Sequence, residues 1–310
     1  MKRRLYMLKA ALAAFAVVLQ AYAPLAAEAA QNVGVKVVAV ISNEEALGKL
    51  VQPSGLFFDE GKKRLYIADS GGKRIVSTNQ EYRFLAEFTN PAMSLPVQIV
   101  KAASGLFYVV DASKGALLAV DTKLDIVKPV EIKPAQPGRD VFVPGRIAIG
   151  KDEKLYVIDK LNKRILVSDA QGAGSRAIVV KDEAGLYGFN DVRVDADNNV
   201  YALDAVGARV YVFDASGAEI ASFGGRTDKT TLMRFPVSLA VSRTGLIYVA
   251  DRHAGAVLVY DRTGQLQYAI SQKGEREGEL SSPTYIMIDE AQRIYVIDNN
   301  RIQVFKEAKL

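Results

Sequence analysis

The sequence predicts an all-β protein: a six-bladed β-propeller of four-stranded blades, with an N-terminal strand closing the last blade. Three observations carry this expectation. A Tyr-apolar-apolar-Asp segment recurs six times, ending at Asp69, Asp111, Asp159, Asp204, Asp251 and Asp298, at spacings of 42, 48, 45, 47 and 47 residues. Each unit carries four short strand signals with few helix signals between them. The last unit lacks one strand, and one spare strand precedes the first. The period alone allows a propeller or a solenoid; the ends favour a closed ring.

The elements follow in order within each unit. Strand a starts after a turn residue, as in "PSGLFFD" (53–59), "PGRIAIG" (144–150), "PVSLAVS" (236–242) and "PTYIMID" (283–289). A polar turn such as "ADNN" (196–199) follows. Strand b is the Tyr-apolar-apolar-Asp segment, and strand c returns as "RILVSDAQG" (164–172), "RVYVFDASG" (209–217) or "AVLVYDRTG" (256–264). The D-x-x-G ending places Asp first and Gly last in a β-turn, where each is favoured. Strand d is weaker: "YRFLAEF" (82–88), "EIASF" (219–223), "LQYAI" (266–270). After Asp298 only "RIQVF" (301–305) fits before the terminus, so "VKVVAVIS" (35–42) is expected to supply the outer strand of the sixth blade. Closure of that kind leaves little exposed edge.

A catalytic residue is rarely needed six times, so the six aspartates read as structural. Each can accept backbone N–H bonds in the b–c turn. Arg74, Arg164 and Arg209 open strand c and can pair with that carboxylate or with a neighbouring blade's. The tyrosines three residues earlier offer apolar area between blades and a hydroxyl for a polar partner.

Residues 1–29 differ from the rest. Lys2, Arg3, Arg4 and Lys9 precede an apolar run from Ala10 to Leu19, and Ala27-Glu28-Ala29 supplies an A-x-A site. This reads as a secretory signal peptide, with the propeller occupying 30–310. The apolar run is short of the ~20 residues of a spanning helix, so no membrane span is expected after cleavage. The leader holds four of the 40 basic and one of the 35 acidic side chains, which leaves 36 against 34. The high isoelectric point therefore belongs mostly to the leader and argues poorly for nucleic-acid binding. With no cysteine, disulfides, thiolate metal sites and a lipoprotein anchor are excluded. The expected location is the periplasm or the extracellular space.

The strand-b and strand-c signature, with the Gly-spaced connection "GEREGELSSPTYIMID" (274–289), resembles the NHL-repeat family of β-propellers over essentially residues 35–310. "GGRTDKTTLMRFPVSLAVS" (224–242) is a degenerate copy of that connection, and Ala116 and Ala256 stand where other units open strand c with Arg. The absence of Trp argues against propeller families whose repeats each rely on one. The resemblance implies three kinds of activity to weigh. Peptide-amidating lyases of the family hold zinc with several histidines, whereas this chain has His253 alone, in the fifth b–c loop. Related lactonases use a Glu/Asn/Asn/Asp calcium cluster at the channel mouth. The second residue after each Pro position should lie there: Gly55, Gln98, Arg146, Asp191, Ser238 and Tyr285, with one carboxylate among them. Calcium wants six to eight oxygens. RNA-binding members carry a basic face, which export and a mature charge near neutrality disfavour.

One unit is irregular. In "YGFNDVRVD" (187–195), Phe189 takes the Pro position, and Arg193 stands where the other units have Phe57, Val100, Ala148, Ala240 and Met287. An unpaired channel-lining Arg costs several kcal/mol. The sequence therefore points to an Arg146–Asp191–Arg193 cluster, either an ion network that plugs the channel or an anion site. Gln98, Tyr285 and His253 complete the candidate binding residues; no catalytic residue, metal or cofactor is expected. The reading reached is an exported, non-catalytic, monomeric scaffold that binds a protein partner in the cell envelope or a small anionic ligand. The alternative is a lactonase-like hydrolase or a lyase with its site at the channel mouth. Envelope carbohydrate binding would draw on Tyr187, Phe189, Phe235 and Tyr285.

Overall fold

The structure, a computed structural model, describes residues 34–44, 48–133, 141–228 and 230–307; the leader expected at 1–29 lies outside them. Six four-stranded antiparallel sheets stand in a ring, each in the order a-b-c-d from the centre outward. The inner strands are Pro53–Asp59, Pro96–Lys101, Pro144–Ile149, Asp191–Val194, Pro236–Val241 and Pro283–Ile288. In the sixth blade Arg293–Asp298 and Arg301–Glu307 form strands b and c, and Val35–Ile41 pairs antiparallel with the latter as the outer strand. The ring is thus closed by its own N-terminal segment, as expected from the sequence. No helix long and apolar enough to cross a membrane occurs among the described residues.

The hydrophobic core is divided into six parts, each between two neighbouring blades. Strand b faces a neighbour on both sides. Leu65 and Ile67 pack towards the sixth blade while Tyr66 and Ala68 pack towards the second. This explains why strand b is a continuous apolar run instead of an alternating one. Strand d is weak in the sequence because it is the outermost strand: Phe84–Phe88 and Ile126–Pro129 have no fully buried residue.

Each repeat aspartate is buried at the end of strand b. Five of them tie together two chain segments; among the described residues Asp159 accepts only from Asn162 and Arg164, and its Oδ1 is buried without a partner. Asp111 accepts from the N–H groups of Ser113 and Lys114 in the b–c turn, and from Ser94 and Leu95 in the connection entering strand a. Asp251 does the same with Ala254 on one side and Arg234 and Phe235 on the other. The sequence suggested the turn contacts but not the link to the incoming connection. Arg74, Arg164 and Arg301 pair with Asp69, Asp159 and Asp298 at 2.9, 3.0 and 2.9 Å. Arg209 corrects the expectation: it donates to Gly224 O at 3.3 Å, while Asp204 accepts from Tyr187 N and Gly207 N.

Candidate functional site

The connections entering strand a and the b–c turns emerge on one face of the ring, here called the b–c face. At its centre lies a depression of about 510 Å³, and a second of about 420 Å³ adjoins it over blades 3 and 4. The two share Ser54, Val97, Arg146 and Asn190.

Below the floor, the inner strands aim one residue each at the axis. In blades 1, 2, 5 and 6 the a–b register shifts between the Pro and the second residue after it. Such a bulge re-aims a side chain, here that of Gln98, Ser238 or Tyr285. In blade 1 the position is Gly55, because a Cβ there would meet the Gln98 Cα and the Val97 carbonyl at 2.9 Å. Blade 4 lacks the Pro and the bulge; its pairing begins at Asp191 opposite Leu203.

Asp191 is fully buried and both its oxygens are occupied. Oδ2 accepts from Arg146 Nη1 (3.0 Å), Ser238 Oγ (2.6 Å) and Leu239 N (2.9 Å). Oδ1 accepts from its own neighbour Val192 N (2.9 Å) and Arg193 Nη1 (2.6 Å). Arg193 also donates to the carbonyls of Val192 and Ile286. The two guanidinium groups lie 4.8 and 4.9 Å from the Tyr285 ring centroid, within cation–π range. Tyr285 Oη accepts from Gln98 Nε2 at 2.9 Å, while Gln98 Oε1 is buried without a partner. Burial alone would depress the Arg193 pKa, but Asp191 and Tyr285 beside it hold it above the ordinary value.

The axis therefore carries an ion network, and Arg193 is enclosed within it by three hydrogen bonds and lines neither depression. Arg146 is different. It spends one donor on Asp191 and one on Thr284 O, out of the five a guanidinium offers, and it lines both depressions. A calcium ion does not fit this ring: its one carboxylate is already saturated, and two cations flank it. Among the described residues no group of three His, Asp or Glu could hold a metal.

Five of the six residues named from the sequence thus come together: Gln98, Arg146, Asp191, Arg193 and Tyr285. His253 does not join them. It stacks on Phe235, with ring centroids 4.9 Å apart, in the fifth b–c turn. Of the aromatics, Phe189 and Tyr285 are buried, Phe235 is half-buried and Tyr187 is exposed.

Sequence reasoning missed Ser70, Lys160, Ala205 and Arg252, which line the depressions. They share one signal: each is the first residue after a repeat aspartate. Arg252 sits 5.8 Å over Phe235, with a buried Nε that has no acceptor.

Comparison with known proteins agrees on the class, a six-bladed β-propeller. Residues 226–306, which hold blades 5 and 6, match the profile of a family described as "6-bladed beta-propeller". No curated protein matches the sequence. Among solved structures, virginiamycin B lyase from Staphylococcus aureus is 12% identical with a TM-score of 0.64, covering 89% of this chain and 99% of that one. A gluconolactonase from Xanthomonas campestris is 13% identical with a TM-score of 0.65, covering 88% and 96%. At such identities the likeness is one of fold.

Proposed function

We propose that this chain is an exported, non-catalytic propeller of NHL type that works as a monomer and binds an anionic group on its b–c face. That group would belong to a protein partner in the cell envelope or to a small ligand. One observation carries the reading: below the floor a saturated carboxylate, Asp191, holds Arg146, which lines both depressions and spends only two of its five donors on Asp191 and Thr284 O. A saturated, doubly paired carboxylate is a poor general base or metal ligand. A guanidinium with spare donors at the bottom of a concave site is a good anion contact. The fold shared with a lyase and a gluconolactonase is equally compatible with catalysis; the channel residues favour binding.

The test uses citrate as a small carboxylate probe in calorimetry at low salt. Binding should weaken about ten-fold or more in Arg146→Gln, the loss of ~1.4 kcal/mol expected when one charged hydrogen-bond partner goes. The enzyme reading is tested in parallel with gluconolactone and a streptogramin B, with calcium or magnesium present. Turnover above the spontaneous rate that chelation removes would overturn the non-catalytic reading. Export predicts a mature N-terminus at or near Ala30; mass spectrometry of the envelope form finding Met1 instead would reject the cleaved leader.

A further inference from the structure

The second depression has features that a small anion does not use. Among the described residues, four large hydrophobic side chains stand exposed around it. Val141 is 71% exposed, Leu161 60%, Tyr187 57% and Val206 39%. They come from separate connections that hydrogen bonds hold together. Asn162 Nδ2 donates to Val141 O at 3.3 Å, Lys160 N donates to Val143 O, and Arg226 Nε donates to Val206 O at 2.6 Å. The Arg226 guanidinium also lies 5.5 Å over the Tyr187 ring. Tyr187, Val206 and Lys160 line the depression itself. The patch thus runs from the rim of blades 3 and 4 inward to Arg146.

Its charge is one-sided. Among the described residues no Asp or Glu lines either depression. Lys160, Arg226 and Arg252 make no ion pair with a carboxylate among the described residues. A concave surface lined by one sign of charge focuses its potential and recruits the opposite sign. Apolar side chains gathered beside it mark an interaction surface more than chance exposure does.

We propose that this sector docks a peptide segment of a partner protein in which aliphatic side chains are combined with carboxylates. The aliphatic groups pack on Val141, Leu161 and Val206. The carboxylates meet Lys160 and Arg226 at the rim and Arg146 at the inner end. A small anion would fill the floor and leave the raised apolar side chains wet. A flat bilayer would cover those side chains but could not reach Arg146. An extended chain does both. The inference rests on the binding role proposed for Arg146 and adds the partner's chemistry.

The experiment uses two labelled, degenerate pools of short peptides, one built from Leu, Val, Ser, Asp and Glu, the other with Lys and Arg in place of the acids. Citrate and anionic phospholipid vesicles serve as further probes. The acidic pool should be retained and the basic pool not, with retention falling as salt rises. The double variants Lys160→Glu/Arg226→Glu and Leu161→Ser/Val206→Ser should each weaken retention about ten-fold or more, the scale of losing central contacts. A single-residue control, Lys160→Gln, keeps the test interpretable if either double variant melts early. Equal retention of both pools, binding of vesicles alone, or indifference to the apolar pair would each overturn the proposal. In the last case, citrate binding that still depends on Arg146 would leave the anion site standing without a peptide partner.

Discussion

Asp191 illustrates how one side chain can be worth more than its charge. It accepts five hydrogen bonds from two guanidinium groups, a hydroxyl and two backbone N–H groups. Removing it leaves Arg193 and Arg146 without their counter-charge. Breaking a buried pair in this way typically costs ~3–5 kcal/mol, against ~0–1 for an exposed pair. Asp191→Ala should therefore be strongly destabilising in denaturant melts. Arg193→Met should be much milder, since Asp191 keeps Arg146, Ser238 and two backbone donors, and the equivalent position in blade 6 already holds Met287. A cost below about 1 kcal/mol for Asp191→Ala, the surface-pair range, would contradict the burial described. The repeat aspartates make a second residue-scale prediction. Burial works against the charge of Asp111. The N–H groups of Ser94, Leu95 and Lys114 and the Ser113 hydroxyl outweigh it and hold the pKa below the ordinary 3.8. A depressed folded-state pKa contributes stability that is full above the unfolded value and is lost as pH falls through the folded one. The stability gap between the native chain and Asp111→Asn should accordingly be widest near neutrality and close below pH 3.8. Asp69 has the opposite shift, because burial outweighs Arg74 and the Val51 N–H, so Asp69→Asn should show no such closing. Parallel acid titrations of the two variants by chemical denaturation separate the cases.

Strand b was legible as an element because it repeats with one rhythm and is apolar on both faces. Five of its tyrosines also find polar partners, though not one common to all. Tyr201 Oη donates to Asp195 at 3.1 Å, Tyr108 to Ala170 O at 3.0 Å, and Tyr248 to Glu307 at 2.9 Å. Burial, reinforced by Asp195, pushes the Tyr201 pKa up to about 12. The closing strand is the element whose removal should matter most. Val35–Ile41 pairs along Arg301–Glu307, and its inward side chains serve two cores: Val35 and Val37 pack with blades 5 and 6, Ala39 and Ile41 with blades 6 and 1. Deleting residues 30–42 would strip the outer edge of blade 6 and expose both cores. The truncated chain should melt well below the full mature chain; an unchanged melting temperature would show that the strand contributes nothing to closure. Strand d was harder to place from sequence, because an exposed outer strand is not held to a strict apolar pattern.

At the scale of the whole molecule, the ring distributes its stability over six inter-blade cores, so damage at one seam reaches both neighbours. The same closure defines one concave face. Every connection that enters an inner strand and every b–c turn meets there, and most of the buried aspartates pin the incoming connection to strand b or its turn. The scaffold that the repeats build is therefore also what fixes the shape of the proposed binding face.

The sequence by itself determined the fold class, the blade number, the circular closure and the residues on the axis. All of these follow from periodicity: a side chain two places after a Pro position keeps its direction in every blade, so Arg146, Asp191 and Arg193 could be brought together by counting. Tertiary structure alone decided which of those charges is saturated and which is left over. It also brought Lys160, Tyr187, Val206 and Arg252 to one face, from turns tens of residues apart. Hydrogen-bond saturation and loop packing depend on distances between blades, and no repeat spacing within one blade encodes them.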